Sequence, residues 1–201
     1  MDIIEQLSQQ LSLAPDFRAE FMKRAEVIHL PKRSFFINQG QTCNYISIVK
    51  EGSLFASIET DSGDDVVNDF YLHNSFVTSY RSFLTRCPSP GSIQAYSDST
   101  LYAISYETYR AVERSLDWVA LFKHIGEVLF IEKCLKTTSL MSESAVERYA
   151  SLIAARPGIE QHFPQFLIAS YLNIRPETLS RIKSLDLHQV KAPKRDPTFE
   201  S

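Results

Sequence analysis

A chain of 201 residues with 44% hydrophobic and 22% charged content suits one large domain or two small ones and can bury a real core. No stretch approaches the roughly 18 consecutive apolar residues of a membrane span, and "MDIIEQLSQQ" lacks the basic start of a signal peptide, so a cytoplasmic protein is expected. Cys43, Cys87 and Cys134 stand far apart with no C-x-x-C pair, which excludes zinc-cluster spacing and a disulfide framework and leaves free thiols.

The net charge of −3 is unevenly spread. Between Gln165 and Arg195 the basic residues Arg175, Arg181, Lys183, Lys191, Lys194 and Arg195 face only Glu177 and Asp186, a local balance of +4 on a body of −7. A basic end on an acidic body is what a nucleic-acid reader of modest overall charge carries.

Residues 1–29 read as helical. Ile3, Ile4, Leu7 and Leu11 recur at helical spacing, and Pro15-Asp16 opens a second helix with Phe17, Phe21, Met22 and Ala25 on one side. From about Val27 to Tyr106 the period changes. Short runs rich in β-formers alternate with turns: "EVIHL", "SFFIN", "YISIVK", "SLFASIET", "VVNDFYL", "SIQAYSD" and "TLYAISY". Regular short strands of this kind predict an all-β sandwich or barrel. "DSGDD" (61–65) is a hairpin turn, because Gly63 tolerates positive φ and its Asp flanks suit turns.

From Glu107 to about Met141 the helical period returns without a proline. Leu121, Val128 and Leu135 stand seven apart with His124 and Ile131 between them, a heptad-like seam. Phe122, Ile125 and Leu129 form an adjacent stripe. A helix apolar on two faces must bury both, one against its own domain and one against a partner subunit. Residues 142–187 are helical again, with a stop at Pro157-Gly158. The tail "HQVKAPKRDPTFES" is expected to be frayed.

"IASYLNIRPETLSRIK" (168–183) reads as two short helices joined by a tight turn. A helix-turn-helix needs apolar residues at the crossing, and Ile168, Leu172, Ile174, Leu179 and Ile182 sit at relative positions 4, 8, 10, 15 and 18. It needs a small residue at the closest approach, where Ala169 stands, and a left-handed residue in the turn. Asn173 is the best choice there after glycine. Pro176 fits the first turn of the second helix. With Leu179 and Ile182 inward, Glu177, Ser180 and Arg181 lie on the outward face. Arg can pair a guanine edge bidentately, Glu can accept from cytosine N4, and Ser can reach an edge or a phosphate. Arg175, Thr178 and Lys183 are better placed for phosphates. Glu177 and Arg181 could also form an i,i+4 pair.

A β-roll, a long connecting helix and a C-terminal helix-turn-helix, in that order, resemble the bacterial Crp/Fnr transcription regulators over residues 1–188. "PETLSRI" carries the most specific part: Glu177, Ser180 and Arg181 match the Glu-x-x-Ser-Arg of the nitrate/oxygen-regulator branch. "FFINQGQTCNYISIVKEGSLFASI" resembles the strand–Gly–strand–Gly framework at Gly40 and Gly52. The resemblance implies an α+β fold. Residues 1–106 would be a jelly-roll-like, cyclic-nucleotide-binding-like β-roll with N-terminal helices, and 107–141 a dimerisation helix. Residues 142–188 would be a winged-helix-like domain, and 189–201 a flexible tail. It further implies a homodimer on a palindromic operator, with recognition helices about 34 Å apart in successive major grooves. The partners implied are double-stranded DNA, a second copy and RNA polymerase, without a membrane or a cofactor.

In that family a Gly-Glu turn and a later Arg-Ser/Thr-Ala hold a cyclic nucleotide. Here Thr78 and Ser79 stand at the first site and Ser89, Pro90 and Gly91 at the second. A buried phosphate needs a charge-assisted bidentate partner that neither Ser nor Pro supplies. Cyclic-AMP control is therefore not expected, although Arg81 and Arg86 lie close enough to approach by another route. Three cysteines are too few for an iron–sulfur cluster. His29 or His73 as a haem ligand competes with the commoner structural histidine. The histidines at 29, 73, 124, 162 and 188 make no H-x-H, and neither a G-x-S-x-G elbow nor a phosphate-binding Gly-rich loop occurs, so no enzyme is expected. The alternative reading is a cyclic-nucleotide- or other small-ligand-binding module that acts through a protein partner rather than DNA.

Overall fold

The computed structural model describes residues 3–61 and 63–184. They fall into two compact units that divide between Glu132 and Lys133, inside one long helix. The expected frayed tail, and with it Asp186, Lys191, Lys194 and Arg195, lies outside the described residues.

The first unit opens with α1 (Ile3–Gln10) and α2 (Phe17–Arg24), which bury Ile4, Leu7, Phe17 and Phe21, the apolar positions at helical spacing. Strands follow as β1 (Glu26–Leu30), β2 (Phe35–Ile37), β3 (Tyr45–Glu51), β4 (Leu54–Glu59), β5 (Asp65–Tyr71), β6 (Phe76–Val77), β7 (Ser92–Ala95) and β8 (Ser99–Ser105). They form two antiparallel sheets, β1-β8-β3-β6 and β2-β7-β4-β5. The seven β-rich runs of the sequence are seven of these strands. The short β6 and helix α3 (Tyr80–Thr85) were not legible there. Gly63, at φ +82°, turns β4 into β5 as the "DSGDD" stretch requires. Gly52 sits at φ +93° between β3 and β4, and a Cβ there would collide with Ser99.

One core draws on both sheets: Ile46, Ile48, Leu54, Ile93, Ala95 and Leu101 are all under 4% exposed. The helices close over it. Trp118, wholly buried, stacks on Phe21 at 5.8 Å and meets Phe17 edge-on at 5.1 Å. Its indole N–H donates to Glu20 at 2.9 Å, so the ring's one polar atom is satisfied.

The single helix expected over 107–141 is two helices. α4 (Tyr106–Ala111) is capped at its start by the Ser105 hydroxyl, which accepts from the Thr108 amide. The chain then turns through 112–115, with Val112 only 4% exposed, and α5 runs from Leu116 to Ser142. A buried Val at the C-cap anchors the break that the absence of proline concealed.

The second unit continues with α6 (Ala145–Ala155), α7 (Ile159–His162), α8 (Gln165–Tyr171) and α9 (Pro176–Lys183). α6 begins with a full capping box between Ser144 and Glu147. The cap hydrogen bonds to Ser144 hold the Glu147 carboxyl below the usual carboxylate range. Gly158, at φ +79°, carries the chain past the Pro157 stop into α7. The described residues end at Ser184, one residue after α9, and any wing of the expected fold beyond it lies outside them.

Candidate nucleic-acid interface

α8 and α9 cross around the residues the spacing singled out. Ile168, Ala169, Leu172, Leu179 and Ile182 are at most 4% exposed, and Ile174 is half-buried. Asn173 has φ +54°, the left-handed turn conformation that favours Gly or Asn. The Ile174 amide returns to the Ala169 carbonyl at 3.0 Å and closes the turn. Pro176 is the first residue of α9, where its missing N–H has no helical partner to lose.

This core leaves Glu177, Ser180 and Arg181 exposed on α9, with Arg175 and Thr178 at its start. No ion pair joins Glu177 to Arg181, so the i,i+4 pair the sequence permits is not formed. Lys183 is engaged: its ammonium lies 2.7 Å from the Glu160 carboxylate. The Tyr149 hydroxyl donates to that carboxylate at 3.0 Å. Burial, reinforced by this hydrogen bond, pushes the Tyr149 phenol up to about 12. Lys183 therefore clamps α9 to α7 and α6, and a phosphate would have to share its ammonium.

In the first unit, Thr78 and Ser79 precede α3, and Ser89, Pro90 and Gly91 follow it. Each hydroxyl is committed within the chain. Thr78 donates to the Tyr45 carbonyl at 3.0 Å. Ser89, 4% exposed, places its Oγ 2.9 Å from Ser79 Oγ and 2.6 Å from the Gly91 carbonyl oxygen. Its backbone pairs with the amide of Gly40 and the carbonyl of Gln41. Gly91 packs so closely on β4 that a Cβ would collide with the Ser57 carbonyl. Where the resemblance puts an Arg, this chain has a small hydroxyl with a satisfied hydrogen-bond set.

Residues 27–115 match the family model of the cyclic nucleotide-binding domain. The matched residues lie within the first unit. The described fold is similar to that of several solved structures, transcription regulators among them. FixK2 of Bradyrhizobium japonicum superposes with a TM-score of 0.69 at 16% identity, over 82% of this chain and 84% of its own. CLP, a c-di-GMP-responsive global regulator of Xanthomonas campestris, gives 0.66 at 17%, over 84% and 89%. A protein of Eubacterium rectale assigned to the crp/fnr family gives 0.65 at 20%, over 85% and 82%. No curated protein sequence matches the chain.

Within the matched residues, Arg86 is also spoken for. Arg86, left-handed at φ +58°, donates through Nη1 to the Cys43 carbonyl at 2.6 Å and through Nη2 to Asn44 at 2.5 Å. Its guanidinium lies 4.0 Å from the centre of the Tyr106 ring. Arg81 is exposed. His29 bonds Thr100 at 3.2 Å across the β1–β8 pair, and His73 bonds the Lys50 carbonyl at 2.6 Å, both structural roles. No group of three metal-binding side chains forms among the described residues. No helix there is long and apolar enough to cross a membrane.

The seam read on the long helix divides. Leu121, 1% exposed, belongs to the core of its own unit, because it shares an inward arc with Trp118, Phe122 and Ile125. This corrects its expected place at a partner subunit. His124 meets Phe76 edge-on at 6.4 Å, and Val128 packs on the same core. Ile131 is half-buried and Leu135 is 66% exposed. Phe130, 70% exposed, and Met141, 84% exposed, also present apolar surface that the heptad pattern did not single out.

Proposed function

We propose that the chain is a homodimeric, sequence-specific DNA-binding transcription regulator that reads a palindromic operator without control by cyclic AMP. The observation that carries this reading is the α8–α9 crossing. Its seven constrained positions hold residues of the required type, Asn173 adopts the left-handed turn, and Glu177, Ser180 and Arg181 stand outward. Those three would read base edges, Arg181 as the bidentate donor to guanine. Arg175 and Thr178 would take phosphates, with Lys183 sharing its ammonium between a phosphate and Glu160. Solved regulators of the same fold support the role.

Dimerisation through α5 would bury Leu135 with Ile131, and would leave His124 and Val128 at the edge of the seam. Independence from cyclic AMP is supported by the closed hydroxyl set at Ser79, Ser89 and Gly91 and by the commitment of Arg86. A phosphate buried there would lack its cationic partner. Regulator neighbours support a role without enzymatic activity.

The test is selection of bound sequences from random DNA, with and without cyclic AMP, followed by sedimentation of the bound species. The expected product is a palindrome bound by two chains equally well in both conditions. Enrichment of no sequence, or of one only with cyclic AMP present, would refute the reading.

A further inference from the structure

The joint between the long helix and the reading head is braced rather than free. Only Glu143 and Ser144 separate the end of α5 from the start of α6. Arg148, on the first turn of α6, uses its planar fork on two carbonyls from different places. Nη1 donates to the Glu143 carbonyl in the joint at 2.6 Å. Nε donates to the Leu172 carbonyl, at the C-terminal end of α8 beside the Asn173 turn, at 3.1 Å. A second contact makes the same connection independently: Lys136 of α5 sets its ammonium 3.8 Å from the centre of the Tyr171 ring, one residue before Leu172. The joint is tightened from within, because the Ser139 hydroxyl donates to the Glu143 carboxylate.

We propose that Arg148, with the Lys136–Tyr171 stack, is a positioning element for operator reading. It locks the helix-turn-helix to the last turns of α5, so that the separation between the two recognition helices of a dimer is fixed by this brace. The chemistry favours Arg for the task. A guanidinium holds several N–H groups in a rigid plane and can span two carbonyls at set angles, whereas a lysine ammonium on a flexible stem cannot hold both directions at once. The proposal rests on the reading of the chain as a dimeric DNA binder.

Two measurements separate the brace from that reading. The first needs no DNA. Spin labels on Thr137→Cys in α5 and Ser184→Cys after α9, in a Cys87→Ser, Cys134→Ser background diluted with unlabelled chain, report the distance from helix to head. A narrow distribution is expected, broadened by Arg148→Gln and by Lys136→Gln, with Arg148→Lys between. An already broad distribution in the parent, or an unchanged one in Arg148→Gln, overturns the brace.

The second measurement compares the selected operator with versions one base pair longer or shorter between half-sites. Each change turns a half-site by about 35° and moves it about 3.4 Å. The parent should prefer its own spacing by about tenfold or more, the cost of a mismatched contact, and folded Arg148→Gln should lose most of that preference while still binding a single half-site. Unchanged spacing preference in Arg148→Gln overturns the positioning role. If the parent binds no operator, the DNA reading fails and the positioning role with it, while the label distances still decide whether the brace exists.

Discussion

Arg181→Ala isolates base reading from stability. Arg181 is exposed on α9 and packs none of the α8–α9 core, which is built from Ile168, Ala169, Leu172, Leu179 and Ile182. Its removal should therefore shift unfolding by no more than about 0.5 kcal/mol, the usual range for a surface substitution. At the operator the loss is different. A bidentate contact to guanine is worth about 1–3 kcal/mol of discrimination, and a symmetric dimer makes it twice. The summed loss of about 2–6 kcal/mol corresponds to a fall in operator affinity of about 30-fold to 10⁴-fold. Scrambled DNA of equal length should lose only the few-fold share that one phosphate-attracting charge contributes. Arg181→Lys sharpens the test, because it keeps the charge and loses the fork, so it should restore binding to scrambled DNA but not specificity. Fluorescence anisotropy on both DNAs, with melting curves beside it, measures all of these. Equal losses on operator and scrambled DNA would reduce Arg181 to a phosphate contact. No loss on either would remove it from the interface.

Four further outcomes follow from particular contacts. Asn173→Val should cost about 1–2 kcal/mol in urea unfolding, because a β-branched residue must adopt the left-handed turn, whereas Asn173→Gly should be near neutral. Leu179→Ala should cost about 2–5 kcal/mol by opening a cavity at a fully buried crossing position, and should weaken operator and scrambled binding together. Tyr149, raised from 10 to about 12 by burial and the Glu160 bond, keeps its proton in the folded chain after the unfolded chain has lost it. Its contribution is therefore complete below pH 10 and is lost as pH rises towards about 12, a slope that Tyr149→Phe should flatten in alkaline unfolding curves. A melting temperature unmoved by millimolar cyclic AMP is expected, since a ligand at 100 times its dissociation constant would add about 2.7 kcal/mol.

The helix-turn-helix was legible because its constraints are local. Within twenty residues, helix crossing, turn and outward face are fixed by side chains near each other in sequence. The left-handed turn at Asn173 and the inward set from Ile168 to Ile182 could thus be placed from spacing alone. The strands were legible for the same reason, through alternation and Gly63. What escaped was set by contacts distant in sequence. β6 is two residues long and exists only because Ser47 and Ile48 of β3 pair with it. The break at 112–115 depends on Val112 finding the core, and the clamp on Lys183 depends on Glu160, in another helix.

The long helix shows how this limit bears on function. A heptad pattern reports which residues share a stripe but not which body the stripe meets. Leu121 falls seven residues before Val128, so it joins the seam by period. Yet Trp118 and Ile125, three before it and four after, fix that side of the helix on α1, α2 and the sheets. Phe130 is nine residues beyond Leu121, two and a half turns, and so faces the opposite way. The part of the seam left for a second copy is therefore displaced along the helix, to its Ile131–Leu135 end, while Phe130 opens a separate face. Two substitutions distinguish the positions. Leu135→Asp should separate the dimer while leaving the melting of the first unit unchanged, since the side chain is 66% exposed. Leu121→Asp should unfold that unit outright, because it buries an unpaired carboxylate. Sedimentation velocity and circular dichroism on the two variants read both results. A Leu135→Asp chain that still sediments as a dimer would place the subunit contact elsewhere than on α5.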